Sequence, residues 1–144
     1  MKRKWIAWLL MLCCTLCFFA CNKEEKTTTT EIVACVEATE ENMVAIKVTS
    51  VGEVFLLEVM NELQAKGELS FEVDATKMVT SINGKENPAD WSACWMLYTS
   101  DADFSNETYG TYDYEGVTYK SALFGAAQMP VMDGGYYIWV YKAF

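Results

Sequence analysis

Only one stretch of this chain carries a clear helical period, and the folded part after it alternates with period two. Leu56, Leu57, Val59, Met60 and Leu63 repeat at spacings of three and four and make one broad apolar face. Ser50 and Glu53 stand at the spacing of a capping box, which predicts a helix beginning directly after Ser50. Gly67 stands where a helix takes a left-handed residue past its end. Beyond it, Leu69, Phe71 and Val73 alternate with Ser70, Glu72 and Asp74, the pattern of a half-buried strand. Lys77 to Ile82 reads as a further strand closed by the turn dipeptide Asn83-Gly84. Trp91 to Thr99 is the densest aromatic run, and Asp133-Gly134-Gly135 turns the chain into a closing strand, Tyr136 to Tyr141. In that strand Tyr136, Ile138 and Val140 share one face and Tyr137, Trp139 and Tyr141 the other, so both faces are expected to be covered.

Ahead of the helix, Glu31 to Ala38 and Met43 to Thr49 are valine- and isoleucine-rich and flank the acidic turn Glu40-Glu41-Asn42. Asp101 to Gly116 is polar and tyrosine-rich, and is expected to run as a long surface excursion. The sum is an α+β domain in which one main helix packs on a mixed sheet of about five strands.

The first thirty residues stand apart from this domain. Lys2, Arg3 and Lys4 precede an apolar run from Trp5 to Phe19, then the small Ala20 and Cys21, after which the chain turns polar at Asn22-Lys23-Glu24-Glu25-Lys26. This is the pattern of a bacterial secretion signal. Cleavage before Cys21 leaves a cysteine as first residue, where lipoprotein processing attaches acyl chains. The run is short of the ~20 residues that span a bilayer as a helix. The expected organisation is therefore a lipoprotein signal peptide over residues 1–20, an acylated Cys21 with a flexible linker over 21–31, and a domain over 32–144. Such a protein is extracytoplasmic and lipid-anchored to the bacterial membrane or cell surface, since paired acyl chains hold durably.

Every acidic residue lies after Cys21, so removal of three cations with the signal leaves 8 basic against 20 acidic side chains, a net −12. That surface argues against a nucleic-acid partner, which needs cationic side chains to displace counterions. Cys35 and Cys94 remain after acylation and either form one disulfide or rest as two buried thiols on neighbouring strands.

The chain contains no histidine, which removes the commonest general base and metal ligand together. Two cysteines are too few for a structural zinc site, and no phosphate-cradling glycine loop precedes the helix. Asp101, Asp103, Ser105 and Asn106 begin with calcium-loop spacing, but Asn106 and Tyr112 stand where glycine and a bidentate glutamate belong, so a turn is expected. The reading is a protein that is no enzyme and has no metal site. Its remaining signal is the tyrosine and tryptophan content, suited to a flat ligand or a protein partner.

Several strings occur in a recognisable order. Leu56-Leu57-Glu58-Val59-Met60 is followed by Met78-Val79-Thr80-Ser81-Ile82-Asn83-Gly84, then Trp91, Trp95-Met96-Leu97-Tyr98 and Phe124-Gly125-Ala126. Pro130-Val131-Met132-Asp133-Gly134 and Tyr137-Ile138-Trp139-Val140-Tyr141 complete the series. From about Val44 to Phe144 the chain resembles the small C-terminal domain of transcobalamin and intrinsic factor, and the bacterial lipoproteins that carry that domain alone.

The resemblance implies a β-grasp-like fold and a cobalamin or related corrinoid as ligand, bound without catalysis. It places Asn83 and Gly84 against the corrin side chains and Trp91, Trp95 and Tyr98 in apolar contact. The vitamin transporters close a second, helical domain over the ligand; this chain lacks it and holds half a clamp. A transporter or surface protein would then complete the site or receive the ligand. The alternative is a structural or adhesive module that displays the Asp101–Gly116 loop to a protein or glycan.

Overall fold

Nine strands and one helix follow one another in a computed structural model that describes residues 31–144. Cys21, the signal and most of the linker lie outside the described residues. Strands β1 (Val33–Glu40) and β2 (Met43–Ser50) form a hairpin, and helix α1 (Leu56–Ala65) follows. The short strands β3 (Phe71–Val73), β4 (Val79–Ile82) and β5 (Lys85–Glu86) come next, then β6 (Ala93–Thr99), β7 (Ser105–Tyr114), β8 (Val117–Ala122) and β9 (Tyr136–Ala143). One sheet has six strands in the order β1-β2-β9-β6-β8-β7, and β3-β4-β5 form a second, small sheet.

The fold class is α+β, as expected. The pairings among the described residues are antiparallel, not mixed, and the main sheet has six strands instead of about five. The difference has two sources. Asp101–Gly116 is no loop, since Ser105 to Tyr114 is an edge strand paired with β8, a second strand that the pattern does not show. In the other direction, β3 and β4 leave the main sheet for the small one.

β9 is the centre of the sheet, paired with β2 on one side and β6 on the other. Its two faces enter two separate cores. Tyr137 and Trp139 join Val44, Ile46, Val48, Trp95 and Leu97 under the helical residues Leu56, Val59, Met60 and Leu63. Ile138 and Val140 join Met43, Ala45, Tyr98 and Tyr119 on the opposite face. Among the described residues no helix covers that second face. The β7–β8 hairpin does so, because β8 pairs with β6 only at Tyr98↔Ser121 and Thr99↔Lys120 before leaving the sheet. A register shift between Asn106 and Thr111 bends β7. The Ser121 hydroxyl ties the bend by donating to the Asn106 carbonyl (2.8 Å) and accepting from the Tyr109 amide (3.3 Å). Tyr112, Tyr114, Tyr119 and Tyr136 then pack over the face, with ring centroids 6.0 Å apart for Tyr119 and Tyr136.

The helix starts later than the capping box predicts. Its N-cap is Phe55, with no side-chain cap bond. Tertiary backbone contacts replace the cap: the amides of Leu56 and Leu57 donate to the carbonyls of Met129 and Ala126, both at 2.9 Å. The C-terminus follows expectation, since Gly67 (φ +77) donates to Gln64 and Glu68 donates to Leu63 in the paired pattern that closes a helix.

Among the described residues the buried ones all fall between Met43 and Val140, so a chain beginning at Asn22 contains the whole core and both of its sheets. The segment that holds the helix start continues to Gly135, where a side chain has no room. A Cβ there would stand 2.8 Å from Met132 Cγ and 3.0 Å from both the Met132 carbonyl oxygen and Tyr137 Cε2. Gly125 has nothing within 4 Å of the same position. Gly135→Ala is expected to cost about 1–3 kcal/mol and to lower the thermal midpoint by several degrees. Gly125→Ala should leave it nearly unchanged in the same calorimetric scan.

Candidate functional site

A cleft of about 810 Å³ opens beside β6 and β9. Its lining combines the β3–β4 loop (Thr76, Lys77, Met78), Trp91, strand β6 from Cys94 to Leu97, the segment after β8 through Gln128, Trp139 and the terminal Phe144. Trp95, Leu97 and Trp139 are core residues and form its floor. Met78, Trp91, Tyr109, Leu123, Phe124 and Phe144 form its rim and are exposed, Trp91 by 50 % and Phe144 by 77 %. Although the chain carries 20 acidic residues, none of those among the described residues lines this cleft, and Lys77 is the one charged side chain among the described residues that does. A cleft of this size, apolar below and aromatic at the mouth, suits a drug-sized ligand.

The floor is rigidly held. The Trp95 indole donates to the Lys85 carbonyl at 2.7 Å and its ring meets Tyr141 edge-on, with centroids 5.4 Å apart. Asn87 joins the small sheet to the large one: its amide nitrogen donates to the Val79 carbonyl, and its oxygen accepts from the Trp95 backbone amide at 3.0 Å. Trp91 differs from these. Its backbone sits at φ +56, a conformation a bulky side chain adopts only under constraint, and its amide donates to the Pro88 carbonyl at 3.0 Å.

The five residues singled out as ligand contacts do not converge. Trp91 and Trp95 line the cleft. Asn83 and Gly84 lie instead on a separate depression of about 610 Å³ with Glu40, Glu41 and Lys85, which Trp95 also borders. The Asn83 side chain serves the turn itself, accepting the Ser70 amide at 3.1 Å. Tyr98 is fully buried on the opposite face of the sheet, beneath the β7–β8 hairpin, with its hydroxyl donating to the Tyr109 carbonyl at 3.2 Å. It is a core residue there, out of reach of a ligand in the cleft.

Cys35 and Cys94 are free thiols. Strands β2 and β9 stand between them in the sheet. Three strand spacings of about 4.8 Å place the two backbones roughly 14 Å apart, twice the reach of a disulfide. Cys35 is exposed on the edge strand, while burial pushes the Cys94 thiol up, which keeps it protonated and weakly nucleophilic at neutral pH. Its sulfur rests 3.5 Å from that of Met96. The Asp101 carboxylate accepts the Asp103 amide at 3.0 Å, the local turn that the spacing predicts.

Periodicity alone does not reveal Met78, Leu123, Phe124 and Phe144 as rim residues. The signal available was an apolar side chain in a segment bounded by turns, with no strand partner to bury it.

The loop carrying Thr76 to Met78 is organised by one carboxylate. Asp74 accepts the Thr76 hydroxyl (2.7 Å), the Thr76 amide (2.8 Å) and the Met78 amide (3.0 Å). The Thr76 side chain first, then the Met78 amide, hold its pKa below the ordinary value of 3.8. A lowered carboxylate pKa adds stability that is complete above the unfolded value and is lost as pH falls through the folded one. Below pH 3.8 the Thr76 and Met78 amides should therefore lose hydrogen-exchange protection before the core does. Asp74→Ala should give the same local loss at neutral pH.

Compared with protein-family models, with curated proteins and with solved structures, the chain shows no match.

Proposed function

We propose that this chain is a lipid-anchored extracytoplasmic binding protein that takes a corrinoid, cobalamin or a close relative, against the cleft between the β3–β4 loop, β6 and the segment after β8. The observation that carries the reading is the acid-free, aromatic-rimmed cleft on a strongly acidic domain. A large ring with an apolar periphery gains by covering Trp91, Met78, Leu123 and Phe124, which are otherwise exposed to water. The resemblance to the transcobalamin C-terminal domain supplies the ligand class. One helix lying across a sheet is compatible with the β-grasp-like arrangement that it implies.

In this reading Trp91 and Trp95 touch the ligand, and Asn83 and Gly84 take part only where the ligand reaches around Trp95. The cleft covers one side of a corrinoid, so a second protein, a transporter or a surface component, closes over the other side or receives the ligand. The membrane is reached through the lipid on Cys21. The reading assigns no catalysis to the chain, since it has no histidine to serve as a general base. The competing reading, a tyrosine segment displayed to a protein or glycan, is left with Tyr109 as its exposed ring, because Tyr112, Tyr114 and Tyr119 pack against the second core.

Titration of the chain from Asn22 to Phe144 with cyanocobalamin and cobinamide, followed by tryptophan fluorescence and calorimetry, tests the proposal. Saturable one-to-one binding at micromolar strength is expected, weakened about tenfold by Trp91→Ala, the usual effect of truncating an aromatic anchor. Absence of heat and of specific quenching up to millimolar ligand would remove the corrinoid from the account.

A further inference from the structure

The floor of the cleft holds one polar atom that the fold leaves without a partner. Trp139 is 4 % exposed, it lines the cleft, and its indole Nε1–H makes no hydrogen bond, the one such buried side-chain atom among the described residues. Its neighbour on the floor shows how the fold treats an indole it uses structurally: Trp95 Nε1–H is bonded to the Lys85 carbonyl at 2.7 Å. A buried donor without an acceptor is costly enough that native proteins rarely keep one without a use. Indole nitrogen is a donor only, so the missing group must be an acceptor.

We propose that Trp139 Nε1–H is the polar anchor of the cleft and that its ligand inserts a neutral carbonyl oxygen there, of the amide or ketone class, borne on an apolar body. The inference rests on the cleft being a ligand site but not on the ligand being a corrinoid, although the peripheral amides of a corrinoid carry this acceptor. A carboxylate is the wrong group. The floor around the indole is Trp95 and Leu97, and Lys77 stands on an exposed loop, so an anion at Trp139 would be desolvated without a countercharge. In this structure the lining covers the nitrogen, so the ligand must part the apolar rim to reach it. Six exposed rim side chains can yield in that way; the Trp95 and Trp139 floor, buried in the core, cannot.

The test uses two probes that share a bicyclic skeleton, 1-tetralone with a ketone and tetralin without one. They are titrated into the chain from Asn22 to Phe144 with ¹⁵N-labelled indoles, which contains three tryptophans: Trp91, Trp95 and Trp139. The ketone should move the Trp139 indole proton downfield and bind about three- to tenfold more tightly than the hydrocarbon, the worth of one neutral hydrogen bond. In Trp139→Phe the two probes should bind equally, and the wild-type indole shift stands as a readout if that variant folds poorly. Equal affinities in the wild type, a silent Trp139 resonance while Trp91 or Trp95 responds, or no binding of either probe would each overturn the proposal. Cyanocobalamin titration separates the two claims: its failure alongside ketone-dependent binding here removes the corrinoid and keeps the anchor.

Discussion

The fold depends on a central strand that is buried on both faces. β9 stands between β2 and β6, and its alternating side chains, like those of these two neighbours, feed two cores: Tyr137 and Trp139 under the helix, Ile138 and Val140 under the β7–β8 hairpin. A shift of one residue in its register would exchange those two sets, putting tyrosine and tryptophan where the hairpin needs smaller aliphatic groups. The segment leading into β9 is fixed accordingly. The Tyr137 hydroxyl accepts the Met132 amide at 2.9 Å, the Asp133 carboxylate accepts the Val51 amide at 2.6 Å, and the Gly135 carbonyl accepts the Val48 amide at 2.9 Å. The same segment supplies the carbonyls that start the helix. Strand register, helix position and sheet closure are thus set by one stretch of about twenty residues.

The cleft inherits its character from this arrangement. Trp95 and Trp139 belong at once to the main core and to the floor of the cleft, so the floor is as rigid as the core behind it. The rim is built differently, from loop residues, Tyr109 at the bend of β7 and the terminal Phe144, all of them exposed. A preorganised floor lowers the entropic cost of binding, while a yielding rim lets a bulky ligand enter. The electrostatics follow the same division: among the described residues no acidic residue lines the cleft, and the Asp74 carboxylate behind its Thr76–Met78 edge is engaged by the Thr76 hydroxyl and the Thr76 and Met78 amides.

Much of the fold was legible from short-range pattern. The face assignments in Tyr136 to Tyr141, the Asn83-Gly84 turn and the Gly67 helix end depend on neighbours in the chain, and each is found as expected. What short-range pattern misses depends on distant partners. The helix begins at Leu56 because Ala126 and Met129 cap it, and no local pattern at Ser50 could show that. The edge strand β7 reads as a loop because its inward residues are tyrosines; counted as apolar, Tyr112 and Tyr114 alternate with exposed Thr111 and Asp113 as any half-buried strand does. Tyr98 and Trp95 sit three residues apart in sequence and on opposite faces of one strand, so a sequence string that named both could not place both on one ligand. The pairing of Trp91 with Met78, Leu123 and Phe124 around one opening is a product of topology alone.

The most direct measurement is a map of backbone amide shifts in the chain from Asn22 to Phe144 on addition of cyanocobalamin. The account predicts changes concentrated at Met78, Trp91, Cys94 to Leu97 and Leu123 to Gln128, with Tyr112 to Tyr119 silent. Changes centred on the β7–β8 hairpin, or none at saturating ligand, would contradict it.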